Sequence, residues 1–275
     1  MSEFDGGELI GRILKEQGVK YLFAVNGGHI FPILANLRDN GIKLIHMRHE
    51  QSTAYAADAY ARALQTRTGT LTLRPESGHD PAGPVEFDVR NWCQDASAIE
   101  RSLLQSLRGP VLDVGCGPGR LLTAAGTLGL SALGIDTSAE AIRQARGRGG
   151  RAIEQSVFDP VPQSGRWQSV VLLDGNVGIG GNISSLLGRC RQLIALGGTL
   201  LVEVESDEQI DTVYPAVLED ECGNRSEAFA WARTGAAGLA TRAQAGGWSL
   251  TAIRHLQGRV FCFLSPRPEP ARSIP

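Results

Sequence analysis

The chain has 275 residues, of which 42% are hydrophobic and 20% charged, enough apolar content for one large domain or two modest ones. A formal net charge of −2 gives no general attraction to nucleic acid or anionic membrane. No apolar run approaches the roughly eighteen residues needed to cross a bilayer, and the opening MSEFDGGELI lacks the basic-then-apolar order of a secretory signal, so a cytoplasmic protein is expected.

From Gly6 to about Leu64 the order reads helix, strand, helix, strand, helix. Leu9, Ile10, Ile13 and Leu14 recur at helical spacing, and Gly18 ends that helix. Tyr21 to Val25 is a short apolar strand closed by Asn26-Gly27-Gly28, and Pro32 suits the first turn of the helix that follows. Ile42 to Met47 reads as a second strand and the alanine-rich Gln51 to Leu64 as helix. Residues 67–86 then lose helical period among prolines and glycines, the pattern of a linker or an irregular entry segment.

Beyond the linker, strands and helices alternate as in a doubly wound parallel sheet. Asp95 is placed to cap a helix with Ile99, Leu103, Leu104 and Leu107 on its apolar face. A strand at 110–114, a helix at 119–128 and a strand at 131–135 come next, and Thr137-x-x-Glu140 reads as a capping box opening another helix. Further strands are expected at 151–157, 169–173 and 199–205, with helices at 183–195 and around 227–245. Residues 249–256 and 258–264 form a terminal antiparallel pair turned at Gln257-Gly258, and the tail from 266 to 275 is expected to be disordered. The five cysteines, Cys93, Cys116, Cys190, Cys222 and Cys262, form no CxxC pair, which argues for reduced thiols and against a zinc site. His46, His49 and Glu50 lie close together, but no second ligand cluster accompanies them and no metal is expected.

The most informative stretch is VLDVGCGPGR, residues 111–120, where an apolar strand runs into Gly115, Gly117 and Gly119 before a helix. Such a turn lets a bulky ligand approach the backbone where no Cβ stands in the way. Asp113 sharpens the reading, because a carboxylate beside the loop repels phosphate and suits a cationic ligand carrying an ammonium or sulfonium. Asp136 ends the next strand, where an acid can take both hydroxyls of a ribose. The competing readings are a dinucleotide site, which Asp113 fits poorly, and a purely structural acid at a strand end.

These motifs resemble the first two of class I S-adenosylmethionine-dependent methyltransferases, over residues 87–265. The resemblance implies a Rossmann-like, doubly wound, seven-stranded α/β sheet with a terminal antiparallel strand. It places Asp113, Gly115, Cys116, Gly117 and Gly119 at the methionine end of the cofactor and Asp136 with Thr137 at its ribose. Phe158 and Asp159 fall near the adenine, and Asp174 with the Gly175-Asn176 turn at the cofactor's edge or the substrate mouth. Asp159 before Pro160 and Asp174 before Gly175 also fit ordinary turns. The glycine-dense run 175–182 reads as a functional loop at the binding crevice. Methyl transfer is an in-line displacement that needs positioning more than protein chemistry. Candidates for a general base are Asp174, Glu203 and Glu205, and a small-molecule acceptor is expected, with Trp231 and Arg233 able either to cover it or simply to pack.

Residues 1–66 resemble a different family. VNGGHIFPIL from Val25 and MRHEQSTAYAADAYAR from Met47 look like the start of the pyrimidine-binding domain of thiamine-diphosphate enzymes such as acetolactate synthases. The resemblance implies that Glu50 matches the glutamate that contacts the aminopyrimidine. The same family holds magnesium and diphosphate with a Gly-Asp-Gly motif followed by an asparagine, and Leu173-Asp-Gly175 and the stretch 199–203 match neither part. Thiamine diphosphate is therefore not expected to bind. The fragment adds a small N-terminal α/β piece, through which the chain could instead associate into oligomers.

Overall fold

The computed structural model describes residues 13–17, 21–25, 43–47, 60–77 and 83–268. Two compact units divide between Ala56 and Ala57. In the first, residues 13–16 are helical. Strands β1 (Tyr21–Val25) and β2 (Lys43–Met47) pair in parallel, Tyr21 opposite Lys43 and Val25 opposite Met47. The helix expected between these strands lies outside the described residues. Glu50, His49, Pro32 and the Asn26-Gly27-Gly28 turn lie outside the described residues.

The second unit is built on a seven-stranded sheet in the order β12-β13-β9-β8-β5-β6-β7. Its strands are β5 (Val111–Val114), β6 (Ala132–Asp136), β7 (Ala152–Glu154), β8 (Trp167–Leu172), β9 (Ile194–Val204), β12 (Trp248–Leu256) and β13 (Arg259–Pro266). Five of them run parallel from β7 to β9, while β13 pairs antiparallel with both β9 and β12. The terminal hairpin turns at Gln257 and Gly258, both with positive φ (49° and 80°), the conformation a two-residue hairpin turn requires. The expected doubly wound sheet and terminal antiparallel pair are therefore present, with β13 reaching Pro266.

Both faces of the sheet are covered, and period-two alternation sorts its side chains between two cores. Val170, Leu172, Leu200, Val202, Cys262 and Leu264 face one core with Leu186, Leu187 and Trp248. Val171, Leu201, Phe261 and Phe263 face the other with Leu103, Leu104 and Leu121. Helix α1 (Val89–Cys93) packs with Leu64, Leu71 and Ala141, and the covering helices are α2 (Ala98–Gln105), α3 (Arg120–Thr127), α4 (Ala139–Gly147), α5 (Ile183–Leu193) and α6 (Ala236–Ala245). Two caps differ from expectation by a residue or two. Ser97, not Asp95, caps α2, with Ser97 and Glu100 forming a reciprocal capping box. Ser138, not Thr137, caps α4. Asp95 instead pairs with Arg148.

The described residues within 67–86 are not a linker. They carry β3 (Thr70–Pro75) and enter β4 (Val85–Asp88), which join β10 (Asp211–Glu219) and β11 (Phe229–Thr234) in a four-stranded antiparallel sheet ordered β11-β10-β3-β4. Leu71 and Leu73, each 2% exposed, alternate with Thr70 and Thr72, the pattern of a half-buried strand. The helix expected around 227–245 is likewise a strand followed by a shorter helix. Phe229 and Trp231 alternate with alanines along β11 and meet edge to face, 5.9 Å apart. The helical residues 60–66, expected within the N-terminal fragment, belong by packing to this second unit.

Candidate functional site

The chain runs β5, β6, β7 outward in one direction and then returns to β8 on the other side of β5. At such a reversal the connections leave in opposite directions and open a crevice beyond the strand ends. The loop 115–119 and Asp174 sit there, at the carboxyl ends of β5 and β8.

Gly115, Gly117 and Gly119 all have positive φ, yet they are glycine for different reasons. A Cβ on Gly115 would lie 2.5 Å from the Asn176 amide nitrogen, and one on Gly119 would lie 2.8 Å from the Ala145 Cβ. Those two positions are closed by packing. Above Gly117 the nearest neighbour is the Tyr60 hydroxyl, 3.3 Å from where a Cβ would stand. The backbone is thus bared to a ligand at Gly117. Asn176 fixes the loop from below, its Nδ2 donating to the carbonyls of Val114 (2.9 Å) and Gly115 (3.1 Å).

Asp113 is 3% exposed, and its Oδ2 has no hydrogen-bond partner. Burial without compensation penalises the charged form, and it pushes this carboxyl up to about 7 despite the opposing Arg120 charge; Asp174, Asp136 and Glu100 add to the rise. An orphaned buried acceptor beside a bared glycine is what an ammonium group would satisfy. The ammonium at the methionine end of S-adenosylmethionine would fit that acceptor. Asp136 lies at the end of β6, its Oδ2 accepting from the Gly117 N–H (2.9 Å) and its Oδ1 from the Ser138 N–H (2.9 Å). Burial raises its pKa, opposed by backbone N–H groups of Ser138, Gly117 and Thr137. Each oxygen keeps a lone pair for a ribose hydroxyl.

All three carboxylates considered as bases are held by arginines. Asp174 Oδ2 accepts from Arg120 Nη2 at 2.6 Å, and its Oδ1 lies 3.5 Å from Arg259 Nη2. Glu203 takes two bonds from Arg259, at 2.7 and 2.8 Å, and Glu205 takes two from Arg233, at 2.7 and 3.1 Å. Glu100 completes the network through Arg120 Nη2 (2.7 Å). Burial alone would raise the Glu100 carboxyl, but the Arg120 hydrogen bonds and charge outweigh it and bring it down to about 2. The same partners raise the Arg120 pKa against the effect of burial. The oxygens of all three candidates are thus engaged by guanidinium donors, as in a structural ion-pair network.

The remaining expected residues separate in space. Cys116 turns its thiol inward among Leu122, Ile142, Ala145 and Ala152, where burial raises its pKa; only its backbone belongs to the loop. Thr137 is exposed beside Asp136. Phe158 is 46% exposed, its ring 2.9 Å from where a Gly180 Cβ would stand. Asp159 offers its carbonyl to Arg189 Nη2 at 2.7 Å. Gly175 has φ 80° and opens the 3₁₀ segment Asn176–Gly181.

That segment is glycine-rich because β11 lies against it. A Cβ on Gly178 would meet the Trp231 ring at 2.6 Å and the Ala232 carbonyl oxygen closer still, and one on Gly181 would meet the Ala230 Cβ at 2.6 Å. Close packing accounts for these glycines without a ligand, and it assigns Trp231 to that packing. Sequence reasoning missed Arg120, Glu100 and Tyr60, and placed Asn176 near the site without its role in holding the loop. Arg120 carried a signal, since a cation directly after an anionic loop invites a partner; Glu100 and Asn176 act through contacts distant in sequence. Among the described residues, no group of three His, Cys, Asp or Glu side chains is placed to hold a metal, and no helix is long and apolar enough to cross a membrane.

Comparison with known proteins divides the chain in two. Residues 111–198 match the family model of a methyltransferase domain, and residues 4–78 match that of the N-terminal thiamine pyrophosphate-binding domain of thiamine pyrophosphate enzymes. Among solved structures, an S-adenosylmethionine-dependent methyltransferase from Bacteroides fragilis, in complex with S-adenosyl-L-homocysteine, superposes with a TM-score of 0.62 at 17% identity, over 78% of this chain and 94% of that one. The 1,6-didemethyltoxoflavin-N1-methyltransferase of Burkholderia thailandensis gives 0.53 at 12% identity, over 82% and 94%. Both likenesses are of fold. Among curated proteins, 2-hydroxyacyl-CoA lyase 2 of Danio rerio is 35% identical over 99 residues, 36% of this chain and 15% of that protein. The acetolactate synthase large subunit IlvG of Mycobacterium tuberculosis is 45% identical over 70 residues, 25% of this chain and 13% of its own length. The chain thus spans less than a fifth of these two relatives. It carries a methyltransferase domain with the fold of S-adenosylmethionine-dependent enzymes, preceded by a segment of the thiamine-enzyme type.

Proposed function

We propose that this methyltransferase domain moves a methyl group from S-adenosylmethionine to a small-molecule acceptor by in-line displacement. The observation that carries the reading is the buried, unpartnered Oδ2 of Asp113 beside the bared backbone of Gly117. The cofactor, when bound, supplies an electrophilic methyl group on a sulfonium. Asp113 would accept from its ammonium, the Gly117 backbone would lie against its methionine end, and Asp136 would accept from its ribose hydroxyls. Phe158 would give its exposed ring to the adenine, with Asp159 beside it.

Asp174 is a positioning residue in this reading, and so are Glu203 and Glu205. Their arginines hold the loop after β8 and the end of β9 in place, and catalysis rests on orientation of the acceptor. Isothermal titration calorimetry of the full chain with S-adenosylmethionine and S-adenosylhomocysteine tests the proposal, and absence of binding to either overturns it. The same instrument, loaded with thiamine diphosphate and magnesium, tests the match at residues 4–78. We expect no heat there, because Glu50 has no diphosphate-magnesium motif to accompany it in the sequence.

A further inference from the structure

Tyr60 lies in the helical residues 60–66, inside the span that matches the thiamine-enzyme model, yet it packs with the methyltransferase unit. Its ring stands edge to face on Trp92 with centroids 5.6 Å apart, and Trp92 in turn lies 5.2 Å from Phe87. The backbone beneath is anchored to α4, where Gln144 Nε2 donates to the Leu64 carbonyl at 2.7 Å and Leu64 packs with Ala141. This support leaves the phenol little freedom and sets its hydroxyl over Gly117.

The surroundings say what the hydroxyl is for. Burial, and then the nearby Asp136, Cys116 and Asp174, raise the phenol's pKa well above its usual value, so it stays a protonated donor. The arginine nearest the loop is committed elsewhere, Arg120 Nη2 being shared between Glu100 and Asp174. An amino-acid ligand brings two charged groups to this end of the site. Asp113 can take the ammonium, and the carboxylate then needs donors on the other side of Gly117.

We infer that Tyr60 is a binding residue of the donor site, its hydroxyl donating to the carboxylate of the cofactor's methionine end. The inference rests on the reading of the site given above. It means that the helix at 60–66, although it follows a thiamine-enzyme sequence pattern, forms a wall of the methyltransferase site.

The test is Tyr60→Phe in the full chain, titrated with S-adenosylmethionine and with decarboxylated S-adenosylmethionine, which lacks the accepting group. We expect the variant to bind S-adenosylmethionine about 10- to 150-fold more weakly, as for one lost hydrogen bond to a charged group. Its affinity for the decarboxylated compound should match that of the unaltered chain. Equal loss for both ligands, or no loss for either, overturns the inference. An unaltered chain that binds neither compound overturns the functional reading itself. A thermal melt of Tyr60→Phe within about 2 °C of the unaltered chain is expected, because the ring contacts with Trp92 persist. A larger fall would show that the hydroxyl serves the fold, and would also count against the inference.

Discussion

The substitution Asp113→Asn should make the ligand-free protein more stable at pH 8 while weakening its hold on the cofactor. Burial moves the Asp113 carboxyl from 3.8 to about 7. At about 1.4 kcal/mol per tenfold in protonation, holding it ionised in the fold costs on the order of 4 kcal/mol. The sign follows from the direction of the shift. Between the two values the folded chain binds more protons than the unfolded one, so stability falls as pH rises from about 4 to about 7 and the full cost is present above that. An amide has the carboxyl's shape and never ionises. Denaturant unfolding should therefore show Asp113→Asn ahead by up to about 4 kcal/mol at pH 8, and level with the unaltered chain at pH 4. Saturating S-adenosylmethionine should narrow the gap at pH 8, because its ammonium compensates the carboxylate and not the amide. The affinity lost in the variant should be about 1.5–3 kcal/mol, the range for hydrogen bonds to charged groups. An advantage for the variant that is the same at pH 4 and pH 8 would refute the reasoning, since it would point to packing rather than ionisation.

Three further outcomes are expected. Asp136→Ala removes the acceptor for the ribose and the partner of the Gly117 N–H, and calorimetry should show S-adenosylmethionine binding weakened by about 1–3 kcal/mol; an unchanged dissociation constant would mean the ribose lies elsewhere. Gly178→Ala drives a methyl group into the Trp231 ring and the Ala232 carbonyl, and thermal unfolding should report a loss of about 1–3 kcal/mol, whereas a neutral result would deny the tight contact between the 3₁₀ segment and β11. Leu64→Ala empties a site that is 0% exposed and should cost the larger unit about 2–5 kcal/mol in denaturant unfolding. If Leu64→Ala left the unfolding transition unmoved, the helix at 60–66 would not be part of that unit.

What could be read from the sequence follows the range of the forces involved. The strand–loop–helix at 111–120 is local: four buried strand residues, three glycines with positive φ, and a helix directly after. Every determinant lies within ten residues, and the central sheet could be extended from there by alternation. The four-stranded sheet is different. Thr70-Leu-Thr-Leu alternates as a strand should, but β3 finds its partners in β4 and in β10, and the β10 residues stand well over a hundred positions away. Flanking prolines and glycines spoke for a loop, and nothing local spoke for the distant partner. In β11, Phe229 and Trp231 with intervening alanines satisfied a helical reading as easily as an extended one, because alanine favours helix while alternation favours strand. The arginine network was hidden for the same reason: Asp174 is recognisable at a strand end, but Arg120 and Arg259 reach it from positions 54 and 85 residues distant.

The join between the two pieces shows where sequence likeness and packing part company. The thiamine-enzyme match extends to residue 78, while the larger compact unit begins at Ala57. The described residues 60–77 therefore carry one family's pattern and another domain's contacts. Apolar burial is non-directional, so the face presented by Leu64 and Ala63 can be covered by any surface of the right shape, and here Ala141, Leu71 and Val89 cover it. Directional groups then fix the arrangement: the Gln144 amide on the Leu64 carbonyl, and Arg148 Nη1 on the Cys93 carbonyl at 2.6 Å. A helix placed this way needs no partner surface of the thiamine-enzyme type, since the contacts that hold it are made by α4 and α1. The same placement brings Tyr60 to the glycine loop, so a segment with the sequence of one cofactor's domain comes to border the site of another.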